Sequence, residues 1–106
     1  MPKYLIEASY NTDGVKGLMK EGGAARRAAA EGLVKSMGGT VEAFYYAFGN
    51  ADAYVVIDLP DNVSAAAASM AVNASGAVTL KTTVLITAEE MDEAVQRGAD
   101  YAPPSS

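Results

Sequence analysis

Residues 38–60, GGTVEAFYYAFGNADAYVVIDLP, constrain the fold of this chain more than any other stretch. β-branched and aromatic side chains alternate with other residues over positions 40–48, and a second, more apolar run occupies positions 53–59. The segment between them, 49–52, is made of Gly, Asn, Ala and Asp. Two such runs joined by turn-forming residues predict a β-hairpin.

The segments on either side of this hairpin complete a recognisable order of elements. Alternating apolar residues predict strands over residues 3–10 and 77–86. Helical spacing of apolar residues predicts helices over residues 14–37, with an interruption at a Gly-Gly pair, and over 61–76 and 87–98. The resulting order, βαββαβ with a terminal helix, is that of the ferredoxin-like α+β fold, in which two helices cover one face of a four-stranded antiparallel sheet.

The length of 106 residues predicts one domain. We assign residues 1–98 to that domain and residues 99–106, which end in Pro-Pro-Ser-Ser, to a flexible C-terminal tail.

The apolar spacing also predicts which helix faces pack on the sheet. The predicted buried stripe of the helix before the hairpin consists of Ala25, Ala28, Ala29, Leu33 and Met37. The predicted stripe of the helix after the hairpin consists of Val63, Ala66, Ala67, Met70, Ala71 and Ala74. Arg26 and Arg27 are placed on the solvated side, because adjacent residues on a helix point about 100° apart and do not easily share one ligand.

The opposite face of the predicted sheet is too apolar and aromatic to remain uncovered. In the first hairpin strand, alternation places Val41, Ala43 and Tyr45 on one side and Phe44 and Tyr46 on the other. The open face then carries Leu5, Glu7, Phe44 or Tyr45, Tyr54, Val56, Thr79, Lys81, Thr83 and Leu85. A patch of this kind predicts a partner surface, and the simplest partner is a second copy, so we expect a homodimer or a higher homo-oligomer.

The composition narrows the chemistry. The chain contains no Cys and no His, which excludes thiolate nucleophiles, disulfides and imidazole as an acid, base or metal ligand. We expect no cofactor and no metal site, since the acidic residues near Glu89 suit the first turn of a helix.

A formal charge of −5 with scattered basic residues argues against a nucleic-acid partner. No apolar run of 18 residues is present, so we expect no membrane span. The first residues do not form a basic stretch followed by an apolar one, and a cytoplasmic location is the default expectation.

Five residues of the hairpin region are candidates for binding a ligand. Tyr10, Tyr45, Tyr46 and Tyr54 offer aromatic rings with polar tips, which suit a cleft that takes a small molecule and suit ordinary packing equally. Asp52 has two possible roles: it could transfer a proton, or it could cap nearby backbone amides. Capping is the favoured interpretation, because Asp52 lies in a turn.

The same hairpin resembles the GYD domain family. The residues that carry the resemblance are Gly38-Gly39, Phe44-Tyr45-Tyr46, Asp52 after the turn, Pro60-Asp61, Asn11-Thr12-Asp13-Gly14 and Leu80-Lys81-Thr82-Thr83. The resemblance extends over residues 1–92 and implies a dimeric α/β barrel, in which two ferredoxin-like protomers pair face to face. This sequence differs from the family's Gly-x-Tyr-Asp turn, because Ala51 occupies the Tyr position. If that aromatic ring bound a ligand, this chain has lost the contact or Tyr46 or Tyr54 replaces it.

Three functions are consistent with these features. The first is a small homo-oligomeric protein that binds a small molecule in the cleft between sheet and helices. The second is a cofactor-free isomerase, cyclase or oxygenase of the kind that dimeric α/β barrels include, with Asp52 or a Tyr transferring the proton. The third is a structural module whose sheet face and edges build larger assemblies.

Overall fold

The computed structural model describes residues 1–105, which form four strands and four helices. In chain order these are β1 (Lys3–Tyr10), α1 (Thr12–Glu21), α2 (Gly23–Ser36), β2 (Thr40–Tyr46), β3 (Ala53–Asp58), α3 (Asn62–Ala74), β4 (Val78–Leu85) and α4 (Ala88–Arg97). The strands form one antiparallel sheet in the order β2-β3-β1-β4. The α+β, ferredoxin-like order that the sequence predicts is therefore confirmed. The last residue of the predicted tail, at position 106, lies outside the described residues.

The helix boundaries follow local capping chemistry. The side chain of Asn11 accepts a hydrogen bond from the Gly14 amide at 2.9 Å and begins α1, and the Asp61 carboxylate accepts one from the Ser64 amide at 2.8 Å and begins α3. Gly22, with φ of 89°, separates α1 from α2, because this region of backbone conformation favours glycine. At α4, Thr87 and Glu90 form a capping box.

The hairpin differs from the prediction in two details. Its connection is longer, because β2 ends at Tyr46 and the chain crosses through residues 47–52, where the Ala47 amide donates to the Asp52 carbonyl at 2.8 Å. The pairing of β2 with β3 also shifts between Val41 and Ala43. This bulge places Val41 on the same side as Phe44, so the prediction that Val41 shares a face with Tyr45 was wrong.

The core lies between the sheet and helices α2 and α3. Its buried cluster consists of Tyr4, Val34, Val55, Ile57, Leu59 and Ala65. The Tyr4 hydroxyl donates to the Asn62 side-chain oxygen at 2.7 Å, so the buried ring keeps a partner for its polar atom.

Helix α3 packs through a side that the spacing of its apolar residues did not predict. Ala65 is buried, whereas Val63 is 78% exposed and Met70 is 67% exposed. The predicted stripe was wrong because a helix made largely of Ala has little hydrophobic contrast between its sides. The side that faces the sheet is the one that carries the buried Ala65.

Helix α4 differs from the other helices in its solvent exposure. Within the described residues, each residue of α4 is exposed, including Met91 and Val95. Across residues 1–105, no helix has both the length and the apolar character that crossing a membrane requires.

Candidate functional site

A cavity of about 170 Å³ lies between the sheet and helices α2 and α3. Strands β1, β3 and β4, together with Phe44 of β2, form its floor, and the two helices form its walls. Nearly all of the side chains that border it are apolar: Ile6, Ala8, Ala29, Ala30, Leu33, Val34, Phe44, Ala53, Val55, Ile57, Leu59, Ala65, Ala68, Val72, Val78 and Leu80. The space exists because Ala occupies positions on both helices and on β1 and β3, where larger side chains would fill the layer between helix and sheet.

Polar groups border this cavity at a few points. Tyr10, from the end of β1, and Arg26, from the first turn of α2, contribute a hydroxyl and a guanidinium group. The hydroxyl groups of Ser69 on α3 and Thr82 on β4 lie 3.0 Å apart, and Ser69 also borders the cavity. An apolar volume with a few directed polar groups is the usual character of a small-molecule site.

Tyr10 and Asp52 are joined through the backbone. The Asp52 carboxylate accepts a hydrogen bond from the Tyr10 amide at 2.7 Å, and the Asp52 amide donates to the Ala8 carbonyl at 2.8 Å. Asp52 therefore ties the hairpin connection to the end of β1, which is a backbone-capping geometry. Burial raises the pKa of the Tyr10 hydroxyl, and the neighbouring Tyr46 raises it further, so Tyr10 is neutral at physiological pH and can donate a hydrogen bond.

Tyr46 is held beside the start of α2. Its hydroxyl donates to the Gly23 carbonyl at 2.9 Å, and its ring meets the Phe44 ring edge to face with centroids 5.1 Å apart. A Cβ atom at Gly23 would lie 3.0 Å from the Tyr46 ring, so glycine allows this close contact. Tyr46 thus fixes the end of α2 that carries Arg26.

Tyr45 and Tyr54 lie on the open face of the sheet, on the other side from the cavity. They are direct cross-strand partners on β2 and β3, and Tyr45 is 72% exposed. The alternative left open for this face, Phe44 or Tyr45, is therefore resolved in favour of Tyr45. The five predicted residues form two groups: Tyr10, Tyr46 and Asp52 near the cavity, and Tyr45 with Tyr54 on the open face.

Arg26 lies in a place that the sequence pattern did not predict. We expected it with Arg27 on the solvated side, yet Arg26 borders the cavity while Arg27 is exposed and pairs with Glu31 at 3.6 Å. The signal was present, because Arg26 precedes Ala30 and Leu33 by four and seven residues and so shares their helix face. The Ala-rich sequence obscured it by making several faces equally apolar.

Comparison with known proteins identifies the family. The model of the GYD domain family matches residues 4–95 of the 106-residue chain. The chain belongs to the GYD domain family. Comparison with curated proteins and with solved structures finds no match.

The small residue in the hairpin turn of this GYD domain is buried. Ala51, at the position where the resemblance implies Tyr, is 4% exposed and precedes the capping residue Asp52. Tyr46 and Tyr54 are on opposite sides of the sheet, so of the two, Tyr46 is the one on the cavity side. Among residues 1–105 of this GYD domain, no group of three or more acidic side chains is placed to hold a metal ion.

Proposed function

We propose that this GYD domain is a homo-oligomeric protein that binds a small molecule in the cavity between the sheet and helices α2 and α3. The observation that carries this proposal is the cavity itself, with its apolar walls and its polar groups at Tyr10 and Arg26. Protein interiors normally leave few voids larger than a water molecule. An engineered apolar cavity of about 150 Å³ binds benzene, so a space of this size accepts an organic molecule.

The test compares two neighbouring alanines on α3. Ala68 borders the cavity, whereas Ala67 is exposed on the same helix. Ala68→Leu should fill the cavity, while Ala67→Leu adds the same side chain to solvent with a similar helix propensity. Native mass spectrometry of protein purified gently from its own source should show a bound molecule on the wild type and on Ala67→Leu, and not on Ala68→Leu. An unliganded wild type, or equal occupancy in both variants, would contradict the proposal.

Self-association is the second part of the proposal, and two surfaces support it. The open face of the sheet presents Leu5, Tyr54, Val56 and Leu85, each half-buried in the single chain, together with the exposed Tyr45. Helix α4 supplies the other surface, with Met91 51% exposed and Val95 74% exposed. An isolated helix shorter than about 12 residues is marginal in water, so α4 needs a surface to pack against. A second copy is the occupant that a symmetric interface provides.

Paired valine variants test the interface. Val56 lies on the open face, and Val63 is an exposed residue of α3 on the other side of the molecule. Val56→Glu introduces a charge into the proposed interface and should convert a dimer or larger assembly into single chains, as light scattering at micromolar concentration would report. Val63→Glu should leave the assembly unchanged. A wild type with the mass of one chain would rule out this part of the proposal.

We further propose that this protein is located in the cytoplasm, which imaging of a fluorescent fusion would test.

A further inference from the structure

We infer that the cavity takes a small monocarboxylate whose apolar body lies between the helices and whose carboxylate meets Arg26. This inference rests on the proposed function and specifies its ligand class. It follows from three properties of the cavity: its volume, the character of its walls, and the position of its charged group.

The volume limits the apolar body of the ligand. A cavity of about 170 Å³ is slightly larger than one that holds benzene, so it accommodates a body of about six or seven carbon atoms. The walls are mainly Ala, Leu, Ile, Val and Phe side chains, which favour a hydrocarbon chain or ring. The Ser69 hydroxyl also borders the cavity, but it is already hydrogen-bonded to Thr82 at 3.0 Å.

The charge at the mouth of the cavity selects the head group. Among the described residues that border the cavity, Arg26 is the one that carries a charge. Its side chain is 39% exposed, so it can reach both water and the cavity. A guanidinium has five N–H donors in a planar fork that matches a carboxylate, and its charge-assisted hydrogen bonds are stronger than those between neutral groups.

The existing partner of Arg26 leaves most of these donors available. One contact joins Arg26 to Glu21 at 3.3 Å, and Glu21 is about half exposed. Exposed pairs of this kind contribute little free energy, so a ligand carboxylate can compete with Glu21. The Tyr10 hydroxyl lies at the same end of the cavity and adds a neutral donor.

The nearby acidic groups have defined roles that do not occupy the cavity. Asp52 accepts the Tyr10 amide at 2.7 Å, so one of its oxygens is engaged by the backbone. A cationic ligand would have to approach Arg26, and a neutral alcohol would leave the guanidinium fork unused. The carboxylate is the head group that uses the available donors.

The test uses three probes with the same benzene-sized body: phenylacetate, 2-phenylethanol and 2-phenylethylammonium. Binding to the full chain is measured by calorimetry and by the chemical shifts of backbone amides. We expect phenylacetate to bind about tenfold more tightly than the alcohol, and the ammonium compound to bind most weakly. The amides that shift should be those around Arg26 and Ala30.

Matched arginine variants show which group selects the carboxylate. Arg26→Gln should remove the preference for phenylacetate over 2-phenylethanol while leaving binding of the alcohol, and Arg26→Lys should restore part of it. Arg27→Gln, which changes an adjacent and exposed arginine, should keep the full preference. Thermal unfolding of each variant verifies that it is folded before binding is compared.

The failures of the two proposals are distinguishable. If wild type binds phenylacetate and 2-phenylethanol equally, or if Arg26→Gln keeps the preference, the carboxylate inference is wrong and the cavity remains a binding site. If none of the three probes binds while the native protein carries a ligand, the carboxylate inference alone is overturned. If none of the three probes binds, and the native protein carries no ligand, both the inference and the proposed function are overturned.

Discussion

The two faces of the sheet use similar residues in opposite ways. On the face covered by α2 and α3, Tyr4 is fully buried, with its hydroxyl bound to Asn62, and Val55 is buried in the core cluster. On the open face, Tyr45 is 72% exposed and Val56, the next residue after Val55, is half-buried. The covered face nevertheless contains a cavity, because Ala supplies much of its surface.

This difference shows why residue type alone does not locate a binding site. Both faces are apolar and aromatic, so the sequence marked both as candidate sites. What separates them is which face the helices cover, and that depends on the chirality and length of the connections. An apolar surface that is covered but incompletely filled suits a small ligand, and one that is uncovered suits a partner chain.

The largest expected effect is at the junction that closes the covered face. A Cβ atom at Gly39 would overlap the Asp58 carbonyl oxygen and lie 2.8 Å from Leu59 and 3.1 Å from Val34. Gly39→Ala should therefore destabilise the domain by about 3 kcal/mol or more, measured by denaturant unfolding. Gly49→Ala in the hairpin connection, where no heavy atom lies within 4 Å of the place that the added methyl group would take, should change stability by less than about 0.5 kcal/mol. Equal effects would show that the junction is not tightly packed.

Neighbouring valines compare the two faces directly. Val55→Ala removes two methyl groups from the covered core and should cost about 2 kcal/mol of unfolding free energy. Val56→Ala makes the same change on the open face and should cost less than about 1 kcal/mol at protein concentrations where single chains dominate. The cost for Val56 should rise with protein concentration if a second copy covers this face. A cost for Val56 equal to that for Val55 in the single chain would contradict the distinction between the faces.

Asp52 tests whether a predicted site residue has a structural role. Loss of its hydrogen bond to the Tyr10 amide in Asp52→Ala should cost about 1–2 kcal/mol, because the hairpin connection loses its tie to β1. Asp52→Asn keeps an acceptor oxygen and should retain most of that stability. Phe48→Ala, a change at a fully exposed residue of the same hairpin connection, serves as a control with little effect. If Asn is as damaging as Ala, the negative charge rather than the hydrogen bond is what matters.

The smallest expected effects concern two N-terminal helix caps, Asp61 on α3, which packs on the sheet, and Glu90 on α4, which is exposed. Backbone and side-chain hydrogen bonds from Ser64 lower the pKa of Asp61, and those from Thr87 lower the pKa of Glu90. The ordinary pKa is 3.8 for Asp61 and 4.5 for Glu90, and folding lowers both. Each carboxylate therefore contributes its full stabilisation at a pH above this ordinary, unfolded-state pKa. The contribution is lost as the pH falls through the lower pKa of the folded state.

Circular dichroism between pH 6 and pH 3 should separate the two caps. Asp61→Asn, which retains a capping oxygen, should weaken the acid dependence of global unfolding, because α3 packs on the sheet. Glu90→Gln should alter the acid dependence of local helix content in α4 alone. A global effect of Glu90→Gln would indicate that α4 is packed against something, as the proposed second copy would require.

Much of the architecture was determined by local chemistry that the sequence displays. Asn11, Asp61 and the Thr87–Glu90 box begin their helices within two residues of the predicted starts at 14, 61 and 87, and Gly22 separates α1 from α2. Strand alternation and the turn residues between β2 and β3 were sufficient for the order of elements. Interactions within three or four residues control these features, so they can be read from the sequence.

Other features depended on contacts between distant residues. The bulge near Val41 reverses one side chain, because strand pairing rather than composition sets the register of β2. The face of α3 that packs, and the entry of Arg26 to the cavity, depend on how Ala-rich helices rest on the sheet. Since alanine distinguishes the sides of a helix only weakly, tertiary packing selected the buried side, and with it the cavity and its charged residue.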